Sequence, residues 1–237
     1  MIIIPARLAS TRFPEKVLAD IGGLPMVVKT ARAVESVDRV AVATDDAKVA
    51  DVCEKHGIRA VLTSPDHTSG TDRIDEAATR LGLADEEIVI NVQADEPFIE
   101  PDVVETLKKL VEKHRRESRT LISSLYKAVS PEAAADPNLV KVVTDESGYA
   151  LYFSRSPIPF DRDGGFDGYK GHLGLYGFTR KNLARFCSLP PSPLETTEKL
   201  EQLRALSHGY AIAMARVETK SFGIDTPEDL RKALARD

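Results

Sequence analysis

The chain opens with MIIIPARLASTRFPEK, residues 1–16, in which an apolar run changes abruptly into a polar loop. The run Ile2–Ile4 is too short for anything except a buried β-strand, and Pro5 marks its end. Ligands of open α/β sheets bind beyond the carboxyl ends of the strands. The stretch therefore predicts a strand that leads into a ligand-binding loop.

This loop is cationic in an otherwise acidic chain. Arg7, Arg12 and Lys16 lie within ten residues, and no carboxylate occurs among them before Glu15. The small residues at 9–11 allow backbone N–H groups to approach an anion closely. A solvated basic turn is the alternative, but the position after the first strand favours a polyphosphate site. The loop is neither a Walker A motif nor a dinucleotide-binding glycine motif, which argues against kinases and dehydrogenases.

Hydrophobic periodicity predicts an α/β fold. In the first part of the chain, strands alternate with helices, which is typical of a mostly parallel, Rossmann-like sheet flanked by helices. The later strands include an antiparallel hairpin excursion around the turn at 145–148. A helix is expected from about Leu194 to His208. After the first strand, the predicted strands are residues 39–44, 58–62, 88–92, 121–126, 140–144, 149–154, 172–178 and 211–217.

Composition limits the class of protein. A net charge of −5 and the lack of a basic face argue against a nucleic-acid partner. No apolar run reaches transmembrane length or forms a secretory signal, so we expect a cytoplasmic protein without a membrane partner. Cys53 and Cys187 are interpreted as reduced packing thiols. The five histidines form no H-E-x-x-H motif, which makes a zinc enzyme improbable.

Two separated acids follow predicted strands. Asp95 comes directly after the strand at 88–92, and a magnesium ligand is favoured there over a helix cap. Asp225 precedes Thr226 and Pro227, which already supply the start of a helix, so Asp225 is predicted to be free to bind a ligand. Arg73 in the first turn of a helix opposes the helix dipole, and either a bound anion or a pair with Asp72 or Asp75 would explain it. Cations for phosphates and acids for Mg²⁺ together predict nucleotidyl transfer.

Motifs along nearly the whole chain resemble those of the 3-deoxy-manno-octulosonate cytidylyltransferases (CMP-Kdo synthetases), a family of sugar nucleotidyltransferases. They are IIIPARLASTRFPEK, SGTDR, NVQADEP, NLVKVV, GYALYFSRSPIP, HLGLYGF, KLEQLR and GIDTPEDL. The resemblance implies a nucleotide-diphospho-sugar transferase-like fold in a single domain, 1–237, with a sugar-binding and dimerisation portion at 120–209. It implies Mg²⁺-dependent transfer of CMP from CTP to the anomeric hydroxyl of Kdo for lipopolysaccharide synthesis, by a homodimer.

The resemblance also implies roles for individual residues. Those matching catalytic positions are Arg12, Lys16, Asp95 and Asp225, of which Asp95 and Asp225 would hold Mg²⁺. Those matching CTP-binding positions are Arg7, Ser10, Thr11, Arg12, Lys16, Ser69 and Arg73. Those carried over for the sugar acid are Gln93, Arg155, His172, Glu201 and Gln202.

Two departures from the family pattern leave the substrate open. Ala94 stands where the family typically has glycine, and Thr196-Thr197 replaces bulkier residues. An 8-amino analogue of Kdo is therefore an alternative substrate. A metal-dependent glycosyltransferase, with Asp45-Asp46 or Asp95-Glu96 as its acidic pair, is a second alternative. A nucleotide-binding regulatory domain without catalysis is a third.

Overall fold

The computed structural model describes residues 1–9 and 13–234. The strands are β1 (Ile2–Ala6), β2 (Asp20–Ile21), β3 (Leu24–Pro25), β4 (Val40–Thr44), β5 (Arg59–Leu62), β6 (Ile88–Asn91), β7 (Thr120–Ala128), β8 (Lys141–Thr144), β9 (Ala150–Ser154), β10 (Lys170–Thr179) and β11 (Ala211–Arg216). The helices are α1 (Met26–Val34), α2 (Ala47–Lys55), α3 (Gly70–Arg80), α4 (Pro101–His114), α5 (Pro131–Ala134), α6 (Arg180–Ser188), α7 (Pro193–Glu198), α8 (Leu203–Ser207) and α9 (Pro227–Leu234). A 3₁₀ turn spans Lys16–Leu18.

The chain forms two compact units. The first contains Met1–Glu105 and Thr219–Asp237, and the second contains Thr106–Glu218. The expected sugar-binding portion at 120–209 stays a prediction. Within the described residues, no helix combines the length and apolar character needed to cross a bilayer.

The first unit is built on a parallel sheet with the strand order β6-β1-β4-β5. Ile2 of β1 is paired with Val40 on one side and with Ile90 on the other. Ile2, Ile3 and Ile4 are fully buried, as expected for a strand covered on both faces. Because these strands are parallel, the loops after β1, β4, β5 and β6 meet at one edge of the sheet. The predicted parallel core is confirmed.

The second unit contains the antiparallel pairings. β10 pairs antiparallel with β7, while β11 pairs parallel with the other side of β7. β8 and β9 form the antiparallel hairpin expected around residues 145–148, so this prediction is confirmed. β10 begins at Lys170, two residues before the predicted start.

The helix expected from Leu194 to His208 was wrong, because the structure divides it into α7 and α8. Lys199 breaks the helix with a left-handed backbone, φ 56°. The cause is tertiary. The Glu198 carboxylate accepts hydrogen bonds from Ser154 Oγ at 2.6 Å and Arg155 N at 3.0 Å, and the Glu198 carbonyl accepts from Arg155 Nε at 2.8 Å. These contacts hold Glu198 in place as the last residue of α7, directly before the left-handed Lys199.

Candidate functional site

A cavity of about 360 Å³ lies at the edge where the parallel strands of the first unit end. The loops after β1 and β6, the start of α3 and the segment before α9 all contribute to its wall. The predicted site residues that line it are Arg7, Lys16, Ser69, Arg73, Gln93, Asp95 and Asp225. Ser10, Thr11 and Arg12 lie outside the described residues.

Lys16 joins the two acids that the sequence singled out. Its Nζ lies 2.7 Å from Asp95 Oδ2 and 3.0 Å from Asp225 Oδ1. Burial lowers the pKa of the Lys16 ammonium, but the charges of Asp95 and Asp225 and the hydrogen bonds to them outweigh that effect, so the net pKa is raised. Acids 130 positions apart in the sequence, at 95 and 225, therefore converge on one cation.

Backbone and side-chain contacts hold the Asp225 segment against the end of β6. Ile224 N donates to the Asp95 carbonyl at 2.9 Å. Ser221 Oγ donates to Glu96 at 2.7 Å, so this carboxylate fixes the segment. The Glu100 carboxylate accepts from Lys220 N at 3.0 Å. The convergence of the two acids is thus built into the fold of this unit.

The start of α9 agrees with the cap that the sequence predicts. Asp229 N donates to Thr226 Oγ1 at 3.2 Å, and Asp229 Oδ2 accepts from Thr226 N at 2.9 Å, as in a capping box. The prediction that Asp225 binds a ligand stays a prediction, and its carboxylate accepts a hydrogen bond from Lys16. That partner lies more than two hundred positions away, and no local pattern indicates it.

Arg73 also has a different partner from the ones expected. Its side chain is 4% exposed, and its guanidinium lies 2.9 Å from Asp45 Oδ2. It also donates to Thr63 Oγ1 at 2.7 Å. Asp72 instead accepts from Ser69 Oγ at 2.8 Å, while Asp72 N donates back to that hydroxyl at 3.1 Å. Asp45 compensates the charge of Arg73 through tertiary structure.

Asp45 and Asp46, one candidate acidic pair of the glycosyltransferase alternative, both have partners within the protein. Asp45 binds Arg73, and Asp46 Oδ1 caps α2 by accepting from Lys48 N at 2.8 Å. In the other pair, Asp95 binds Lys16 and Glu96 accepts from Ser221.

The residues carried over for the sugar acid in the second unit have the following surroundings. Arg155 donates to the carbonyls of Glu198, Pro137 and Lys199 at 2.8, 3.0 and 3.4 Å. Its guanidinium therefore stabilises the turn that separates α7 from α8. Glu201 is half-buried.

His172 and Gln202 are buried beside polar side chains of the same unit. Burial lowers the pKa of His172 to about 3, so its ring is neutral at physiological pH. Its Nε2 lies 2.8 Å from Ser124 Oγ. Gln202 accepts from the Tyr176 hydroxyl at 2.9 Å, while its Nε2 has no hydrogen-bond partner among the described residues. That amide could donate to a ligand.

Sequence reasoning missed His67 and Thr68 as lining residues of the first unit's cavity. Of the loop that contains them, only Ser69 and Arg73 were predicted to bind the nucleotide. The position of this loop after a parallel strand, at the same edge as the first loop, was the available signal.

Comparison with known proteins identifies relatives along the whole chain. The cytidylyltransferase family model matches residues 1–218. The 3-deoxy-manno-octulosonate cytidylyltransferase of Wolinella succinogenes is 58% identical, with 99% of this chain and 98% of that protein covered. The protein of the same name from a Nitratiruptor species is 56% identical, with 98% and 97% covered.

A solved structure gives the same result for the fold. It is a CMP:2-keto-3-deoxy-manno-octonic acid synthetase complexed with CTP, with a TM-score of 0.90 and 41% identity. The match covers 99% of this chain and 96% of the solved one. The predicted fold class is thereby confirmed. The chain belongs to the 3-deoxy-manno-octulosonate cytidylyltransferase family of cytidylyltransferases.

Proposed function

We propose that this protein transfers CMP from CTP to the anomeric hydroxyl of 3-deoxy-manno-octulosonate, with release of pyrophosphate. The observation that carries the proposal is the convergence of Asp95 and Asp225 on the Lys16 ammonium in a cavity of about 360 Å³. The identities of the nucleotide and of the sugar acid are inferred from the relatives, whose names contain them.

The proposed reaction requires positive charge in the cavity. Attack on the α-phosphorus gathers negative charge on the phosphoryl oxygens and on the departing pyrophosphate. Arg7 and Lys16 line the cavity and would bind these oxygens. Arg73 would contribute positive potential from its fixed position against Asp45. Arg12, Ser10 and Thr11 are proposed as further phosphate contacts on the strength of their sequence positions.

We infer that Asp95 and Asp225 hold Mg²⁺ during the reaction. Their oxygens already face one positive charge, the Lys16 ammonium, so the donor set fits a cation. The described residues contain no group of three or more metal-ligating side chains. That suits Mg²⁺, which commonly takes one or two carboxylates and completes its shell with water and substrate phosphates. When bound, the ion would neutralise phosphate charge and polarise the reacting phosphoryl group.

Lys16 would then bind first the two carboxylates and afterwards the triphosphate. Without nucleotide it compensates the two carboxylates. Once another cation takes over that task, its ammonium is free to turn to the triphosphate. No covalent nucleophile is needed, since the sugar hydroxyl attacks directly.

Pyrophosphate release tests the proposal. The protein is incubated with Mg²⁺, Kdo and each common nucleoside triphosphate, and then with CTP and the 8-amino analogue of Kdo. We expect rapid release with CTP and Kdo together and little with either alone. Release only with the 8-amino analogue would reassign the sugar acid. No release with any triphosphate would contradict the proposed reaction.

A further inference from the structure

A histidine on the cavity wall has a fixed orientation that the proposed reaction does not use. His67 lines the cavity, and its Nε2 lies 2.5 Å from Glu76 Oε2 on α3. The two side chains are 22% and 21% exposed. Both side chains are therefore largely buried, with His67 on the cavity wall and Glu76 on α3.

Glu76 is held as a carboxylate by several donors. Its Oε2 also accepts from Ser64 N at 2.8 Å, and its Oε1 accepts from Arg80 Nε at 2.7 Å. Burial raises the pKa of Glu76, but the hydrogen bonds from Ser64, His67 and Arg80 outweigh it and lower the pKa to about 2. A carboxylate can only accept hydrogen bonds. The proton of the imidazole must therefore sit on Nε2.

This arrangement determines what the other ring nitrogen offers. A neutral imidazole with its proton on Nε2 carries an acceptor at Nδ1. None of the described residues hydrogen-bonds Nδ1. The nearby Ser69 hydroxyl, in contrast, both donates to Asp72 and accepts from it. Arg73 is similarly engaged by Asp45 and Thr63.

The position of His67 suits the base of the nucleotide better than its phosphates. The phosphate charge is proposed to lie beside Lys16, Asp95 and Asp225, which contact one another. His67 belongs to the segment that precedes α3, and its hydrogen-bond partner is Glu76 rather than any of these three residues. Cytosine presents an amino group where uracil presents a carbonyl oxygen. A fixed acceptor favours the first and opposes the second.

We propose that His67, oriented by Glu76, is a specificity-determining residue that accepts a hydrogen bond from the amino group of cytosine and so selects CTP over UTP. Glu76 is a positioning residue in this scheme, because it fixes the tautomer and anchors the Ser64 backbone. The inference rests on the proposed use of CTP.

Equilibrium binding of CTP and UTP, measured at several pH values, tests the inference. We expect His67→Leu to reduce the preference for CTP by about tenfold, as befits one hydrogen bond. Glu76→Leu should reduce it similarly. Glu76→Gln should keep most of it, because the amide oxygen can still accept from His67 and Ser64. His56→Leu, at the end of α2, is the matched control and should leave the ratio unchanged.

The ¹⁵N chemical shifts of the His67 ring give a readout that does not depend on turnover. They should report a proton on Nε2 in the wild type and in Glu76→Gln. A proton on Nδ1 alone would overturn the inference. So would equal weakening of CTP and UTP in His67→Leu, since the ring would then contact the ribose or phosphates. A wild type that binds neither nucleotide would contradict the proposed function itself.

Discussion

The proposed role of Asp225 as a metal ligand can be tested by a single substitution. We expect Asp225→Asn to lower turnover on the order of 100-fold, the scale seen when one charge-stabilising group is removed. CTP affinity should fall less, because Arg7 and Lys16 remain in the cavity. The measurement is pyrophosphate release in parallel with equilibrium CTP binding. Glu228→Gln, an exposed acid on α9, is the control. Unchanged turnover in Asp225→Asn would remove this residue from the site.

Lys16 has a consequence for stability as well as for chemistry. In Lys16→Met, two carboxylates face each other without their shared cation. We expect a loss of about 1–2 kcal/mol in the free energy of unfolding, between the limits for exposed and buried pairs. Mg²⁺ without nucleotide should then raise the melting temperature of the variant more than that of the wild type. Equal melting shifts in both proteins would contradict the idea that the ammonium and the metal compete.

The pH dependence of this effect has a definite sign. The pKa of Lys16 is raised in the folded protein, so its contribution is fully present below the unfolded value of 10.5 and is lost as the pH rises through the higher folded value. The stability difference between wild type and Lys16→Met should therefore be constant near neutral pH and shrink in strongly alkaline solution.

At the scale of elements, Glu76 links α3 to the loop before it. The pKa of Glu76 is lowered from its ordinary value of 4.5 to about 2, so its contribution to stability is present above pH 4.5 and is lost as the pH falls toward 2. Urea unfolding of wild type and Glu76→Ala across this range measures the contribution. We expect a difference near neutral pH that vanishes in acid. A difference independent of pH would mean that the carboxylate charge does not anchor the loop.

The break between α7 and α8 gives a second prediction at this scale. Lys199 adopts φ 56°, which costs a residue with a Cβ about 1–2 kcal/mol. Lys199→Gly should relieve this cost and raise the free energy of unfolding by up to about 1 kcal/mol, after the greater flexibility of unfolded glycine is subtracted. Lys109→Gly, within α4, should instead cost about 1 kcal/mol. Destabilisation by both variants would contradict the strain at Lys199.

The break between α7 and α8 is an example of a feature that could not be predicted from the sequence. The parallel strands, the β8–β9 hairpin and the cap of α9 follow from local patterns, and the structure has them. The division after Glu198 depends on Ser154 and Arg155, more than forty positions away. The partners of Arg73 and Asp225 are also distant in sequence. A periodic pattern reports which residues are apolar, but it does not report such pairings.

For the whole molecule, local and overall charge have opposite signs. The net charge is −5, yet the cavity presents Arg7, Lys16 and Arg73 to a polyanion. Attraction between exposed charges is screened by salt. We expect CTP affinity to fall several-fold between about 50 and about 500 mM NaCl, measured by calorimetry at fixed Mg²⁺. Uncharged cytidine should bind with little dependence on salt. Salt-independent CTP affinity would contradict the cationic role of this cavity.

Asp95, Asp225 and Lys16 are proposed to gather around one triphosphate and its metal ion. Crystals grown with CTP and Mn²⁺, a stand-in for Mg²⁺ with strong anomalous scattering, test it most directly. We predict an anomalous peak within about 2.2 Å of a carboxylate oxygen of both Asp95 and Asp225, with Lys16 Nζ turned to a phosphate oxygen. A peak bound by neither acid, with Lys16 still between them, would rule out this metal site.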